Sequence, residues 1–138
     1  MKEILSKSEK DTQNVAQQVA KQLLGGSILA LTGDLGGGKT TFTKALAKEL
    51  VIKDNVQSPT FTIVREYQGK KYKLYHLDLY RLKNEKDAIS IGFSEIISDE
   101  NAIVVIEWAE RFKKILPKHT QFIEFDFVDE NTRRIIIR

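Results

Sequence analysis

At 138 residues the chain is long enough to bury a hydrophobic core, and its length is that expected of one domain. With 41% hydrophobic and 30% charged residues it is not composed like a disordered protein, and without cysteine it can form neither disulfides nor thiolate-ligated metal sites. The excess of 22 Lys and Arg over 19 Asp and Glu is too small to argue for a nucleic-acid or membrane surface. No apolar run suits a signal peptide or a bilayer span, so a cytoplasmic location without membrane contact is the expectation.

In chain order, residues 11 to 24 are predicted to be helical. Val15, Val19 and Leu23 recur every four residues beside Ala16, Ala20 and Leu24, and Gly25-Gly26 supplies a stop. The apolar run Ile28-Leu29-Ala30-Leu31 has the character of a strand covered on both faces. A glycine-rich stretch follows it, and residues 40 to 50 read as a second helix with Phe42, Leu46 and Leu50 inward. From residue 60 to about residue 80 the period drops to two, which predicts an antiparallel hairpin turning around Gln68-Gly69-Lys70. A polar, helix-compatible stretch spans residues 84 to 90, and residues 103 to 106 repeat the buried-strand pattern. A short helix is expected from 109 to 116, closed by Pro117, and FIEFDFV and RRIIIR around DENT form a terminal hairpin. No internal repeat or linker interrupts residues 1–138.

The glycine-rich stretch carries the most chemistry. Gly33, four residues, then Gly38-Lys39-Thr40 match the phosphate-binding loop G-x-x-x-x-G-K-[ST], with a strand before it and a helix after it as that loop requires. Glycines reach positive φ and leave no Cβ to block a phosphate, so successive N–H groups can converge on its oxygens. The helix start adds unsatisfied N–H groups and the positive end of its dipole. Lys39 can then reach the β- and γ-phosphates, while the Thr40 hydroxyl can ligate Mg²⁺. The expected architecture is an α/β P-loop NTPase domain: parallel core strands with helices on both faces, plus antiparallel hairpins.

A nucleotide hydrolase also needs an acidic group near the metal. Glu107 follows four apolar residues at a strand end, where the chain would emerge beside the phosphate loop, and supplies that group; the lesser alternative is a carboxylate that simply faces solvent. Asp78 alternates with Leu77 and Leu79 and shares a face with His76 and Tyr80. Either it assists the metal and the attacking water, or that face is simply exposed. His76 alone reads as structural. Residues 57 to 62 are placed where nucleotide-sensing loops occur, and Ser58, Thr60 and Thr62 offer hydroxyls, although Pro59 can equally mark only a stiff turn. Trp108 either covers the site, contacts a partner or anchors the fold. Arg133-Arg134 either reaches back to the nucleotide or flanks a terminal strand, the second being simpler. The Asn84–Asp87 stretch NEKD has the wrong order for the guanine-specifying N-K-x-D, which leaves ATP as the expected nucleotide. Lys70, Lys71, Lys73, Lys113, Lys114 and Lys118 read as a solvated face.

Four blocks, LTGDLGGGKTTF, SPTFTIVREY, YHLDLYRL and VVIEWAER, occur in an order and spacing that resembles the bacterial TsaE family, ATPases of tRNA threonylcarbamoyladenosine biosynthesis. The resemblance covers nearly the whole chain and departs at Gly37, where the family usually has alanine. It implies a weak Mg²⁺-dependent ATPase that binds a TsaB–TsaD pair, which accelerates it, with at most indirect or transient tRNA contact. By position it implies that Gly36, Gly37, Gly38, Lys39, Thr40 and Thr41 hold the phosphates. Thr40 and Glu107 would ligate Mg²⁺, and Asp78 would assist. Ser58 and Thr60 would belong to a switch loop, with Trp108 in the motif after Glu107. Glu9, Thr12 and Arg133 would lie near the base or ribose.

Two other functions use the same loop. A small-molecule kinase would need an acceptor site and an arginine-bearing lid, and Arg133-Arg134, near the C-terminus, is the only adjacent arginine pair. A non-hydrolysing, nucleotide-dependent scaffold would tolerate the loss of Glu107.

Overall fold

The structure, a computed structural model, describes residues 1–33, 38–59 and 62–138. In chain order it contains β1 (Lys2–Ser6), α1 (Glu9–Ala20), β2 (Ile28–Gly33), α2 (Lys39–Glu49), β3 (Val64–Gln68) and β4 (Lys73–Asp78). These are followed by α3 (Glu85–Ser90), α4 (Phe93–Ile97), β5 (Ala102–Glu107), a 3₁₀ helix (Ala109–Ile115), β6 (Gln121–Phe127) and β7 (Arg133–Ile137).

All seven strands join one sheet in the order β1-β7-β6-β2-β5-β4-β3. The central four, β6, β2, β5 and β4, run parallel, while β3, β7 and β1 are added antiparallel at the two sides. Alternation along β2 and β5 sorts the core into two layers. Leu29, Leu31, Ile103 and Val105 pack with Val15, Val19, Phe42 and Leu46 of α1 and α2. Ile28, Ala30, Val104 and Ile106 face the other way, toward Ala88, Phe93, Ile96 and Phe112. Helices therefore cover both faces of a parallel core with antiparallel flanks, as expected.

Several boundaries differ from the sequence expectation. The first helix begins at Glu9 because Ser8 caps it, its hydroxyl accepting from the Asp11 N–H at 3.1 Å while Asp11 accepts from the Lys7 N–H at 2.9 Å. It ends at Ala20 rather than 24, and Leu24 is 69% exposed instead of facing the core. NEKD turns out to be the same device. Asn84 caps α3 by accepting from the Asp87 N–H at 3.0 Å, and Asp87 accepts from Lys83 N–H at 2.9 Å. Residues 109 to 115 form a 3₁₀ helix kinked at Phe112, not an α-helix. Strand β1 and helix α4 were not expected. KEILS has no β-branched run and acquires strand geometry only by pairing with β7.

Candidate functional site

The parallel strands set the position of the site. β2 leads through α2 toward the β4 side of the sheet, whereas β5 leads through the 3₁₀ helix to β6 on the opposite side. The connections thus leave the parallel strands β2 and β5 toward opposite sides of the sheet, and a crevice opens outside their carboxyl ends. Gly33 ends β2, Asp78 ends β4 and Glu107 ends β5, with Asp78 and Glu107 as register partners. A cavity of about 460 Å³ lies there.

The loop joining β2 to α2 has its middle, residues 34–37, outside the described residues, so Gly36 and Gly37 are not placed here. Its two ends are. Gly33 has φ 120° and Gly38 has φ 101°, a backbone region that disfavours side chains. A Cβ on Gly33 would also lie 2.0 Å from the Phe125 carbonyl oxygen, its neighbour on β6. Helix α2 then begins at Lys39 without a side-chain cap, so its first N–H groups carry no capping side chain. Lys39 is buried; its Nζ donates to the Gly33 carbonyl at 2.9 Å and stands 5.0 Å from the centre of the Trp108 ring. Strand–loop–helix order and a buried lysine at the helix start agree with the motif.

The carboxylates face the same layer as α2. Leu74, His76 and Asp78 occupy one face of β4, and Ile103, Val105 and Glu107 the matching face of β5. His76, Asp78 and Glu107 are all buried, so the exposed-face reading of Asp78 and the solvent-facing reading of Glu107 are both corrected. Only Tyr80 behaves as that reading required, at 58% exposure. Periodicity assigned the correct face, but that face is covered. Asp78 accepts from the Tyr80 N–H at 2.9 Å, and His76 Nε2 lies 2.8 Å from Glu107 Oε2.

Trp108 leaves β5 with φ 61°, a left-handed conformation rare for a bulky residue. Its half-buried ring lies 5.0 Å from that of Tyr80. The Arg111 guanidinium ties the two turns together by donating to the carbonyls of Leu79 at 3.3 Å and Tyr80 at 2.8 Å.

The far wall comes from the chain termini. Glu9 and Thr12 line the cavity with Ser6 and Ser8; the Ser6 and Thr12 hydroxyls lie 2.7 Å apart. Arg133 lines it as well, with Glu130 and Asn131, which corrects the reading that it only flanks a strand. Its guanidinium stacks over Phe127 at 4.6 Å and donates to the carbonyls of Asp129, Glu130 and Thr132. In that turn, the Asn131 N–H and the Thr132 hydroxyl hold the Asp129 carboxyl below its ordinary value. Arg134 points elsewhere, pairing with Glu3 at 3.0 Å. Ser58, Thr40 and Thr41 also line the cavity, while Thr60 lies outside the described residues. Thr62 is exposed and does not line the cavity, and Pro59 accepts from the Thr62 and Ile63 N–H groups in a tight turn.

Sequence reasoning missed Ser6, Ser8, Glu130 and Asn131 on the cavity wall and the contact between His76 and Glu107. The S-x-x-D spacing of Ser8 and Asp11 is a capping signature that would have located Ser8. The others meet through strand pairing that no local pattern encodes. Among the described residues, no group of three or more His, Cys, Asp or Glu is arranged to hold a metal unaided. None of the helices there is long and apolar enough to cross a membrane.

Comparison with known proteins places this arrangement among relatives. The family model described as threonylcarbamoyl adenosine biosynthesis protein TsaE matches residues 6–136. A tRNA threonylcarbamoyladenosine biosynthesis protein TsaE from Aquifex aeolicus is 42% identical, covering 99% of this chain and 96% of its own. Its namesake from Bacillus subtilis is 37% identical over 91% of this chain and 77% of its own. The crystal structure of Bacillus subtilis YdiB superposes with a TM-score of 0.81 at 32% identity, covering 97% of this chain and 82% of that one.

Proposed function

The chain belongs to the TsaE family, and we propose that it serves tRNA threonylcarbamoyladenosine biosynthesis as a weak Mg²⁺-dependent ATPase coupled to a TsaB–TsaD pair. The observation that carries this reading is the convergence of Lys39, Thr40, Asp78 and Glu107 on one cavity at the carboxyl ends of parallel strands. That is the arrangement a nucleoside triphosphate and its metal need.

The donor set fits magnesium. Thr40, Asp78 and Glu107 offer hard oxygen ligands, and their small number suits an ion that keeps waters and shares phosphate oxygens. Thr40 and Glu107 would hold the metal, with Asp78 acting through water. Bound Mg²⁺ would neutralise charge on the β- and γ-phosphates. Lys39 would exchange the Gly33 carbonyl for phosphate oxygens, and the first N–H groups of α2 would point at the same anion, with Gly36, Gly37, Gly38 and Thr41 completing the cradle. Glu9, Thr12 and Arg133, on the far wall, would receive the nucleoside. Ser58 and Thr60, in the stretch before β3, and Trp108, after β5, would change with bound nucleotide the surface offered to partners. Nucleotide alters partner affinity only by favouring one such surface over another.

A reconstituted modification assay with TsaB, TsaD and this chain tests the proposal over many turnovers. Wild type should sustain repeated modification and hydrolyse ATP faster with the pair than alone, whereas Thr40→Ala and Glu107→Ala should stall. Equal ATPase rates with and without the pair would remove the coupling. Sustained modification by a Glu107→Ala protein that no longer hydrolyses ATP would replace the ATPase by a nucleotide-dependent scaffold.

A further inference from the structure

We infer that His76 is a positioning residue for Glu107, fixing the carboxylate through a single Nε2–H donor so that it meets the metal in one orientation. This inference rests on the reading of Glu107 as a metal ligand.

His76 is 2% exposed, and its Nε2 lies 2.8 Å from Glu107 Oε2. Its Nδ1 is buried and has no hydrogen-bond partner among the described residues. That asymmetry assigns the tautomer. A proton on Nδ1 would bury an unpaired donor and turn the bare Nε2 lone pair toward a carboxylate oxygen at contact distance. With the proton on Nε2, the donor meets its acceptor and only a lone pair goes unmatched.

The surroundings show that the ring is not there to fill space. Its neighbours on the same sheet face, Leu74, Ile103 and Val105, are aliphatic and fully buried. A leucine in place of His76 would continue that layer without the desolvation cost of an imidazole. Among the described residues the ring's polar partner is Glu107, and that contact offsets the cost of burying it. Glu107 sits between Leu31 of β2 and Asp78 of β4, and its backbone is held by both neighbouring strands. What the backbone leaves undetermined is rotation of the carboxylate, and the bond to Oε2 limits it. One oxygen is committed to His76 and the other is left for the cavity that Glu107 lines. Partners of this kind typically change metal affinity tenfold to a hundredfold when removed.

The test uses the full chain as wild type, His76→Leu and His76→Gln, the last returning an N–H donor near the Nε2 position. ATP binding is followed calorimetrically in EDTA and then across a Mg²⁺ titration. ATP affinity in EDTA should stay within about twofold in all three proteins, since His76 touches no phosphate-binding group. The Mg²⁺ concentration giving half of the metal-dependent gain should rise roughly tenfold in His76→Leu and largely recover in His76→Gln. Nitrogen-15 NMR of the wild-type ring supplies a readout independent of both variants and of nucleotide, and should place the proton on Nε2. An unchanged Mg²⁺ half-point in a folded His76→Leu protein would overturn the inference alone. So would a proton on Nδ1, or a folded glutamine variant as impaired as the leucine one. Wild-type binding of ATP that ignores Mg²⁺ would overturn the proposed function and this inference together.

Discussion

The Lys39 ammonium lies 5.0 Å from the centre of the Trp108 indole ring, over its face, while donating to the Gly33 carbonyl at 2.9 Å. The cation that would meet a phosphate is thus held by a ring quadrupole and a backbone dipole at the mouth of its own loop. Trp108 is the only tryptophan, so its emission reports directly on this contact. ATP should draw Lys39 off the indole and change the emission intensity. Lys39→Ala should shift the starting spectrum, abolish the ATP response and weaken triphosphate binding by about 2 kcal/mol, or roughly thirtyfold. Fluorescence titration of the two proteins checks all three.

Loss of Glu107 has a cost separate from catalysis. Glu107→Ala strands His76 Nε2–H in a buried position, a penalty of about 1–3 kcal/mol, whereas Thr40→Ala touches an exposed residue and should leave stability almost unchanged. Urea denaturation should separate the two variants even where both are expected to lose Mg²⁺-dependent turnover.

Gly33 and Gly38 both have positive φ, but they differ in room. A Cβ on Gly38 would come no closer than 3.8 Å to the Phe125 ring, whereas on Gly33 it would overlap the Phe125 carbonyl oxygen. Gly38→Ala should therefore cost about 1–2 kcal/mol of backbone strain. Gly33→Ala should cost clearly more and disturb the pairing of β2 with β6. Melting temperatures, with amide exchange at Phe125, would show the ordering.

Acid should loosen the wall built around Arg133. The Asp129 carboxyl is held below its ordinary value of 3.8, chiefly by the Asn131 N–H and then by the Thr132 hydroxyl. A depressed carboxylate contributes stability that is present above the unfolded value and is lost as pH falls through the folded one. The β6–β7 turn should thus keep its full support above the ordinary value of 3.8 and lose it as pH falls further, through the lower folded value. Asp129→Ala should show the opened turn at neutral pH. Amide shifts of Asn131 and Thr132 across a pH titration measure both.

Much of this molecule is written in short-range pattern. Ile28-Leu29-Ala30-Leu31 and residues 103 to 106 form central strands because uninterrupted apolar runs need cover on both faces. The spacing from Gly33 to Thr40 determined that a strand would turn through a loop into a helix with its lysine at the start. These features depend on residues only a few positions apart, which the chain order alone specifies. The fate of a polar face is a different matter, because alternation says which side chains share it and not what lies opposite. His76 and Asp78 are buried because β4 joins β5 under the layer shared with α1 and α2, a contact between residues far apart in the chain. Arg133 lines the same cavity as Thr12 because β1 returns to pair with β7. Chain order therefore settled the central strands and the lysine at the start of α2, and tertiary pairing settled which charges they face, since burial depends on the neighbour opposite and not on the neighbour in line.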